Sequence, residues 1–287
     1  MQLELNNISL TYAISTPYET KALSDVSFSA KKGEFIAVMG QTGSGKSTLL
    51  KIIAGLEKPS SGTVFFNGED INAYSYNKAK LRSYVGMVFQ NPEYQLFESS
   101  VYKDVAFGLK HAEYTKDEKH RRVKNALETV GFEFDKIKDL SPLALSGGEK
   151  RRVAIAGVLA AEPELILFDE PVAGLDPVGR NDFVNTVKKL NKAGITIIMV
   201  SHNADAIAEC AERILIFDNT KLIKDAPAAK VFADSKTLKN IGLEVNGAKY
   251  LADLLKKRGM CIDDKLYRYE EIVKAVAEKI KNAGVGK

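Results

Sequence analysis

An α/β chain built on a mixed sheet with buried parallel strands is the fold class that this sequence predicts. Three observations predict it. The stretch Val38–Leu50 holds Gly40, four residues, then Gly45-Lys46-Ser47, set between a strand-like run (Glu34–Met39) and a helix-like run (Lys46–Ala54) that Gly55 ends. Leu165–Phe168 and Thr196–Val200 are continuous apolar runs, as strands buried on both faces require. Ser99–Leu145 and the segment after 234 carry helical periodicity instead.

Taken in order, Leu3–Tyr12 and Ala22–Ala30 alternate well enough to pair as strands, across a loop that Ser15-Thr16-Pro17 forces. Thr63–Phe66 followed by Asn67-Gly68 is a hairpin signal. The N-terminal part therefore mixes antiparallel strands with the strand that feeds the glycine-rich loop. Tyr12 ends the first strand, where its ring is either half-buried packing or a face on which an adenine stacks.

The loop and the first turn of its helix comprise Gly40, Gln41, Thr42, Gly43, Ser44, Gly45, Lys46, Ser47 and Thr48. Glycines let the backbone turn tightly and approach a phosphate, so that successive N–H groups and the helix N-terminus converge on negative charge. In that pattern Lys46 reaches the β- and γ-phosphates of a nucleotide, and Ser47 places its hydroxyl on Mg²⁺.

Val85–Phe89 reads as a strand that Gln90-Asn91-Pro92 breaks. A Gln at a strand end beside a Pro-containing loop offers its carbonyl oxygen to a metal or a water, or is an ordinary loop residue. Val101, Val105, Phe107 and Leu109 mark one helix, and Thr115–Val130 a charged amphipathic second one ended by Gly131. A helical subdomain inserted over about 91–160 follows from these. Leu145-Ser146-Gly147-Gly148-Glu149 opens the next helix as a capping box, and its two glycines also bare a helix N-terminus that can receive a phosphate.

Leu165–Phe168 ends in Asp169-Glu170-Pro171. Beside a Mg²⁺–nucleotide two adjacent carboxylates divide labour: Asp169 holds the metal's water shell and Glu170 takes the proton of an attacking water. Thr196–Val200 ends in Ser201-His202, which puts a His at the sheet edge where open α/β sheets bind ligands. Arg213–Asp218, Lys221–Lys224 and a short helix at Pro227–Ala233 complete a core over 1–234. Residues 235–287 form a small C-terminal helical domain, with Ala248, Leu251, Leu254 and Leu255 on one helix face and Ile272, Val273, Val276 and Ile280 on another. Two amphipathic helices make no core alone, so they dock on something.

Composition bounds the reading. The chain has 287 residues, 45% hydrophobic, with a net charge of +4. The excess of positive charge sits after residue 234, so the phosphate-site region is not a basic nucleic-acid platform. Cys210 and Cys261 are far apart and make neither a disulfide framework nor a metal site. No apolar run approaches the length of a membrane span.

In this order the glycine-rich loop, a strand-end Gln90, LSGGE, a buried strand ending in Asp-Glu and a strand-end His202 resemble the ATP-binding cassette (ABC) ATPases, over residues 1–234. That resemblance implies a P-loop NTPase of ABC type, with a RecA-like mixed sheet core, N-terminal antiparallel strands and the inserted helices. It implies ATP and Mg²⁺ as ligands, with Tyr12 as the adenine-stacking aromatic, Gln90 as the Q-loop glutamine and Ser47, Gln90 and Asp169 around the metal. It makes Glu170 the catalytic base, His202 the switch histidine at the γ-phosphate, and Ala173–Asp176 the D-loop. Cassettes of this family bind ATP between two subunits, so Ser146, Gly147, Gly148 and Asp176 serve the site of a partner cassette, a paralogue or a second copy. Glu149 stands where Gln is commoner in the signature, and Val172 where Thr is commoner after the Walker B proline.

A finer resemblance, to the A components of energy-coupling factor (ECF) transporters of the second paralogue type, rests on FQNPEYQLFE at 89–98, KDVAFG at 103–108, RRVAIAGVLA at 151–160, AGLDPVGR at 173–180 and the C-terminal domain. It implies a peripheral subunit on the cytoplasmic face of the cell membrane. Its partners are a transmembrane coupling (T) subunit and a substrate-binding membrane (S) subunit, and its task is import of a vitamin or metal ion. The alternatives are the ATPase of an importer with an extracellular binding protein, or a cassette outside transport. Repair-type cassettes are split around long coiled coils, whereas only 55 residues lie between Gln90 and Ser146 here.

Overall fold

The computed structural model describes residues 1–110, 113–263 and 265–284. In chain order, β1 (Leu3–Tyr12) and β2 (Thr20–Ala30) form a hairpin, β3 (Phe35–Gly40) leads into α1 (Lys46–Ile53), and β4 (Ser61–Phe66) turns into β5 (Glu69–Asp70). After α2 (Lys78–Tyr84) and β6 (Val85–Val88) come α3 (Val101–Phe107), α4 (Lys116–Thr129), α5 (Phe134–Ile137) and α6 (Gly147–Leu159). The core closes with β7 (Leu165–Asp169), α7 (Pro177–Lys192), β8 (Thr196–Val200), α8 (Ala204–Cys210), β9 (Arg213–Asp218) and β10 (Lys221–Pro227). Helices α9 (Ala228–Ala233), α10 (Ser235–Asn240), α11 (Gly247–Lys257) and α12 (Tyr269–Gly284) follow.

The strands form two sheets. One is antiparallel, in the order β2-β1-β4-β5; the other runs β10-β9-β3-β8-β7-β6, with every neighbouring pair parallel except β10 on β9. Every residue of β3, β7 and β8 is buried, which only a strand covered on both faces requires. Side-chain alternation sorts them into two cores. Phe35, Ala37 and Met39 face the core made with α3, α4, α6, α7 and α8, whereas Ile36 and Val38 face the one made with α1 and the antiparallel sheet. This is the mixed-sheet α/β architecture with N-terminal antiparallel strands and inserted helices that the sequence predicts.

Local chemistry sets several boundaries. Thr115 caps α4 by accepting the N–H of Glu118, and Gly131 leaves that helix in the left-handed region. Asp176 and Pro177 start α7 as N-cap and first helical residue. Three expectations change. Phe107 closes α3 but is 40% exposed, while Leu109, just past the helix, is buried. On α11 the structure buries Ala248 and Ala252, leaving Leu251 and Leu254 more than a third exposed, because small residues let the helix pack closely. On α12 Ile272 is buried while Val273 and Ile280 are exposed.

The segment after residue 234 is anchored on the rest. Leu238, Leu243 and Tyr267 join the core on the α7–α8 side, and Tyr267 stacks on Phe232 at 5.3 Å. Asp205 accepts the N–H of Gly247 at 2.8 Å, and Arg268 Nε donates to the Ala208 carbonyl at 2.9 Å. Among the described residues no helix is long and apolar enough to cross a membrane.

Candidate functional site

Strands β3, β8, β7 and β6 run parallel and end on one edge of the sheet, which brings Gly40, Ser201, Asp169 and Gln90 to the same rim. The turn out of β3 is so tight that a Cβ on Gly40 would lie 2.3 Å from the Phe217 carbonyl oxygen. Gly45 has φ 100°, and a Cβ there would lie 2.3 Å from the Ala22 oxygen. Only glycine fits either place, and the backbone turns sharply before α1.

Lys46 is buried, and its ammonium donates to the carbonyls of Gly40 at 2.8 Å and Gln41 at 2.7 Å and to Ser44 Oγ at 3.4 Å. Burial pushes its pKa below the ordinary lysine value, against the pull of the nearby Glu170 and Asp169 carboxylates. Asp169 is buried too, and desolvation raises its pKa, opposed first by the bond from Ser47 and then by Lys46 and Lys51. Ser47 Oγ donates to Asp169 Oδ1 at 3.0 Å. A hydroxyl and a carboxylate in contact, with the Gln90 amide two residues past β6, are the hard oxygen donors that Mg²⁺ takes. No group of three or more His, Cys, Asp or Glu able to hold a metal occurs among the described residues.

Glu170 has φ 50°, an uncommon conformation for a non-glycine residue, and its N–H donates to the Val200 carbonyl at 2.9 Å. That turn carries its carboxylate across the end of β8, where Oε1 lies 2.8 Å from His202 Nδ1 and Oε2 accepts the His202 N–H at 3.3 Å. Gly40, Gln41, Thr42, Lys46, Glu170 and His202 line an open cleft of about 530 Å³. Its remaining wall is Gly242–Glu244, held there by Gln41 Nε2, which donates to the Ile241 carbonyl at 3.0 Å. Nothing local in the sequence marks that wall, since the two bonded residues lie 200 positions apart.

Other expected site residues lie elsewhere. Gly43 and Ser44 complete the loop, and Thr48 stands in the first turn of α1. Tyr12 ends β1 opposite Thr20, half-buried against the second core. Ser146 caps α6: its Oγ accepts the Glu149 N–H while Glu149 Oε2 accepts the Ser146 N–H, so both halves of the capping box form. The hydroxyl and N–H of Ser146 hold the Glu149 carboxyl below its usual range. Gly147 and Gly148 are exposed, and neither they nor Ser146 line the cleft around Lys46. Asp176 is exposed and occupied as the cap of α7, accepting the Gly179 N–H at 2.7 Å.

A second cleft, about 270 Å³, opens beside Leu96 and Phe97, between α3 and α6. Gly108, Ala154 and Gly157 line it with little side-chain bulk. Phe97 is 64% exposed and meets Phe107 edge-on at 4.8 Å, whereas Leu96 packs on the core. Asp104 fixes the loop by accepting the N–H groups of Phe97 and Glu98 at 2.9 and 2.8 Å.

Comparison with known proteins agrees with this geometry. A family model described as ABC transporter matches residues 23–173. The energy-coupling factor transporter ATP-binding protein EcfA2 of Clostridium tetani (strain Massachusetts / E88) is 43% identical over 283 residues, 98% of this chain and 98% of the relative. Among solved structures, cbiO1 from Clostridium perfringens, described as part of the ABC transporter complex cbiONQ, has a TM-score of 0.75 at 35% identity, covering 89% of this chain and 98% of that one. The ATP-binding cassette MJ0796, solved as a dimer in a post-hydrolysis state with ADP and Pi, has a TM-score of 0.69 at 30% identity over 79% of this chain and 98% of its own. The chain belongs to the ABC transporter family, among the ATP-binding proteins of its energy-coupling factor branch.

Proposed function

We propose that this chain hydrolyses ATP as one of the two cassettes of an energy-coupling factor transporter, and so drives import of a vitamin or metal ion through membrane subunits. The observation that carries the proposal is the pairing of a phosphate cleft containing Lys46, Glu170 and His202 with an exposed aromatic cleft at Phe97, seven residues beyond Gln90.

The triphosphate of ATP takes the loop Gly40–Thr48, whose backbone donors and helix N-terminus favour negative charge. Lys46 exchanges its bonds to the Gly40 and Gln41 carbonyls for phosphate oxygens, and Tyr12 offers its ring to the adenine. Ser47, Gln90 and Asp169 would hold Mg²⁺, which neutralises charge on the β- and γ-phosphates. Glu170 accepts the proton of the attacking water. His202, bonded to both carboxylate oxygens, fixes their direction and stands at the solvent side of the cleft.

Ser146, Gly147 and Gly148 at the open end of α6, with Asp176, serve the nucleotide of a facing cassette, a paralogue or a second copy. Their exposure and their distance from the chain's own cleft support that role, as does the dimeric state of the similar cassette MJ0796. The Phe97 cleft takes a short helix of a transmembrane coupling subunit, which in turn holds a substrate-binding membrane subunit. The chain then works as a peripheral protein on the cytoplasmic face of the membrane.

Purifying the tagged full-length chain from detergent-solubilised membranes tests this. Recovery with a second cassette and two kinds of integral membrane protein is expected. Recovery as a free monomer, from membranes in which it is expressed with its neighbours, overturns the proposal.

A further inference from the structure

Between the two clefts lies a buried guanidinium that neither uses. Arg151 stands on α6, five residues after Ser146, and is 5% exposed. Its Nε donates to Glu93 Oε2 at 3.1 Å and its Nη2 to Glu93 Oε1 at 3.2 Å, a two-pronged contact. Its Nη1 donates to the carbonyl of Pro171 at 3.1 Å and to that of Ala173 at 3.0 Å. Four of its five N–H donors are thus directed to fixed acceptors.

These acceptors belong to separate parts of the mechanism. Glu93 lies in the loop that runs from Gln90 to the Phe97 cleft. Pro171 directly follows Glu170, and Ala173 opens the stretch that leads to Asp176. The chain between Glu170 and Asp176 is a short irregular turn, entered through the left-handed φ of Glu170 and containing Gly174 at φ 72°. Within it the Ala173 N–H donates to the Glu170 carbonyl at 3.2 Å and the Leu175 N–H to the Val172 carbonyl at 3.3 Å, and the two bonds from Arg151 tie this turn to α6. Glu93 is the carboxylate facing that cation, and without it the guanidinium would be a buried charge with only dipoles around it.

We propose that Arg151 is a positioning residue for hydrolysis: oriented by Glu93 in the docking loop, it holds the backbone after Glu170 and thereby aims that carboxylate at the attacking water. The proposal rests on the reading of Glu170 as the base and of the Phe97 loop as the docking surface. It adds a physical connection between them, in which a membrane subunit that shifts the loop shifts Glu93, and with it the turn after Glu170. Lys cannot substitute, because an ammonium lacks the planar fork that spans a carboxylate and two carbonyls at once.

The test uses the full-length chain, alone and in its membrane complex, as Arg151→Lys, Glu93→Gln and the double variant. Turnover number, KM for ATP, melting temperature and the stimulation of hydrolysis by the membrane subunits are measured. Misaiming a catalytic group costs on the order of tenfold or more in rate, so each single variant is expected to lose about that much kcat with KM for ATP nearly unchanged. The double variant is expected to be no slower than the slower single one, and stimulation by the membrane subunits is expected to disappear in all three. Wild-type kcat in Arg151→Lys overturns the proposal, as does multiplication of the two losses or a loss that follows a fall in melting temperature. If Arg151→Lys fails to fold, Glu93→Gln decides alone: reduced kcat with unchanged KM supports the proposal, and unchanged kcat overturns it. A failure of the underlying reading shows separately, as normal turnover in Glu170→Gln.

Discussion

Glu170 Oε1 lies 2.8 Å from His202 Nδ1, across the ends of the adjacent strands β7 and β8. With Nδ1 turned to the Glu170 carboxylate, Nε2 is the ring nitrogen left for another partner. The His202 side chain is 70% exposed and that of Glu170 is 13% exposed, so the imidazole covers the carboxylate from the solvent side. Neither residue alone explains this pair. It needs the parallel register of β7 on β8 and the left-handed backbone of Glu170.

Replacing the carboxylate by its amide isostere keeps the shape of this contact and removes its basicity. Glu170→Gln should bind ATP as tightly as wild type while losing about 10²–10⁴ in turnover. ATP-bound dimers should accumulate on size-exclusion chromatography. Steady-state hydrolysis at the wild-type rate would remove Glu170 from the role of base.

Ser146 holds its helix end by the capping box, and it is also the residue proposed above to serve a facing cassette. Ser146→Arg should leave ATP binding by the monomer intact and block ATP-driven dimerisation, because a bulky cation fills the place of the partner's phosphate. Losing the cap should also cost about 1 kcal/mol of stability, which Ser146→Asp, another good cap, should not. Should the Arg variant dimerise with ATP as wild type does, LSGGE serves only as a cap in this chain.

Lys46 supplies a pH dependence with a definite sign. Its pKa is held below the lysine value by burial, and an arriving triphosphate raises it. On the alkaline side, between the depressed pKa of the free site and the higher one of the complex, ATP binding should take up protons. Affinity should weaken as pH rises through that window. For folding the sign is the reverse of the usual lysine case: the unfolded chain binds more protons there, so this group's contribution to stability rises with pH. Calorimetric titration in buffers of different ionisation enthalpy measures the uptake, and proton release on binding would contradict it.

Much of the candidate site was legible because its signals are local. The spacing of Gly40, Gly45, Lys46 and Ser47, the apolar runs ending in Asp169-Glu170 and Ser201-His202, and the capping box at Ser146 each lie within a dozen residues. Long helix α7 went unread although Asp176-Pro177 announces it and Phe183, Val184, Val187 and Leu190 form its buried stripe. What the sequence does not carry is pairing at a distance. The bond from Gln41 to Ile241 and the fork of Arg151 on Glu93 join segments whose own patterns say nothing of each other. On α11 hydrophobicity misled: size decides close approach, so Ala248 and Ala252 went inside and Leu251 and Leu254 stayed at the surface.

Phe97 lies at the surface and not in the core. It is 64% exposed, and Phe107, the aromatic ring it meets among the described residues, is itself 40% exposed. Phe97→Ala should leave melting temperature and ATP affinity nearly unchanged. Covering an aromatic side chain contributes roughly 1.5–3 kcal/mol, so the variant should bind the membrane subunits about tenfold or more weakly. A clear fall in the melting temperature of the isolated variant would make Phe97 part of the core; a stable variant that assembles normally would move the docking surface elsewhere.

The most direct measurement is ATP-driven solute uptake into proteoliposomes that hold the purified membrane complex, with this chain as wild type or as Glu170→Gln. Uptake that requires ATP on this chain's side of the bilayer, and that falls to background in Glu170→Gln while the complex stays assembled, is the predicted result. Uptake unaffected by Glu170→Gln, or a complex that transports equally well without this chain, would contradict the account.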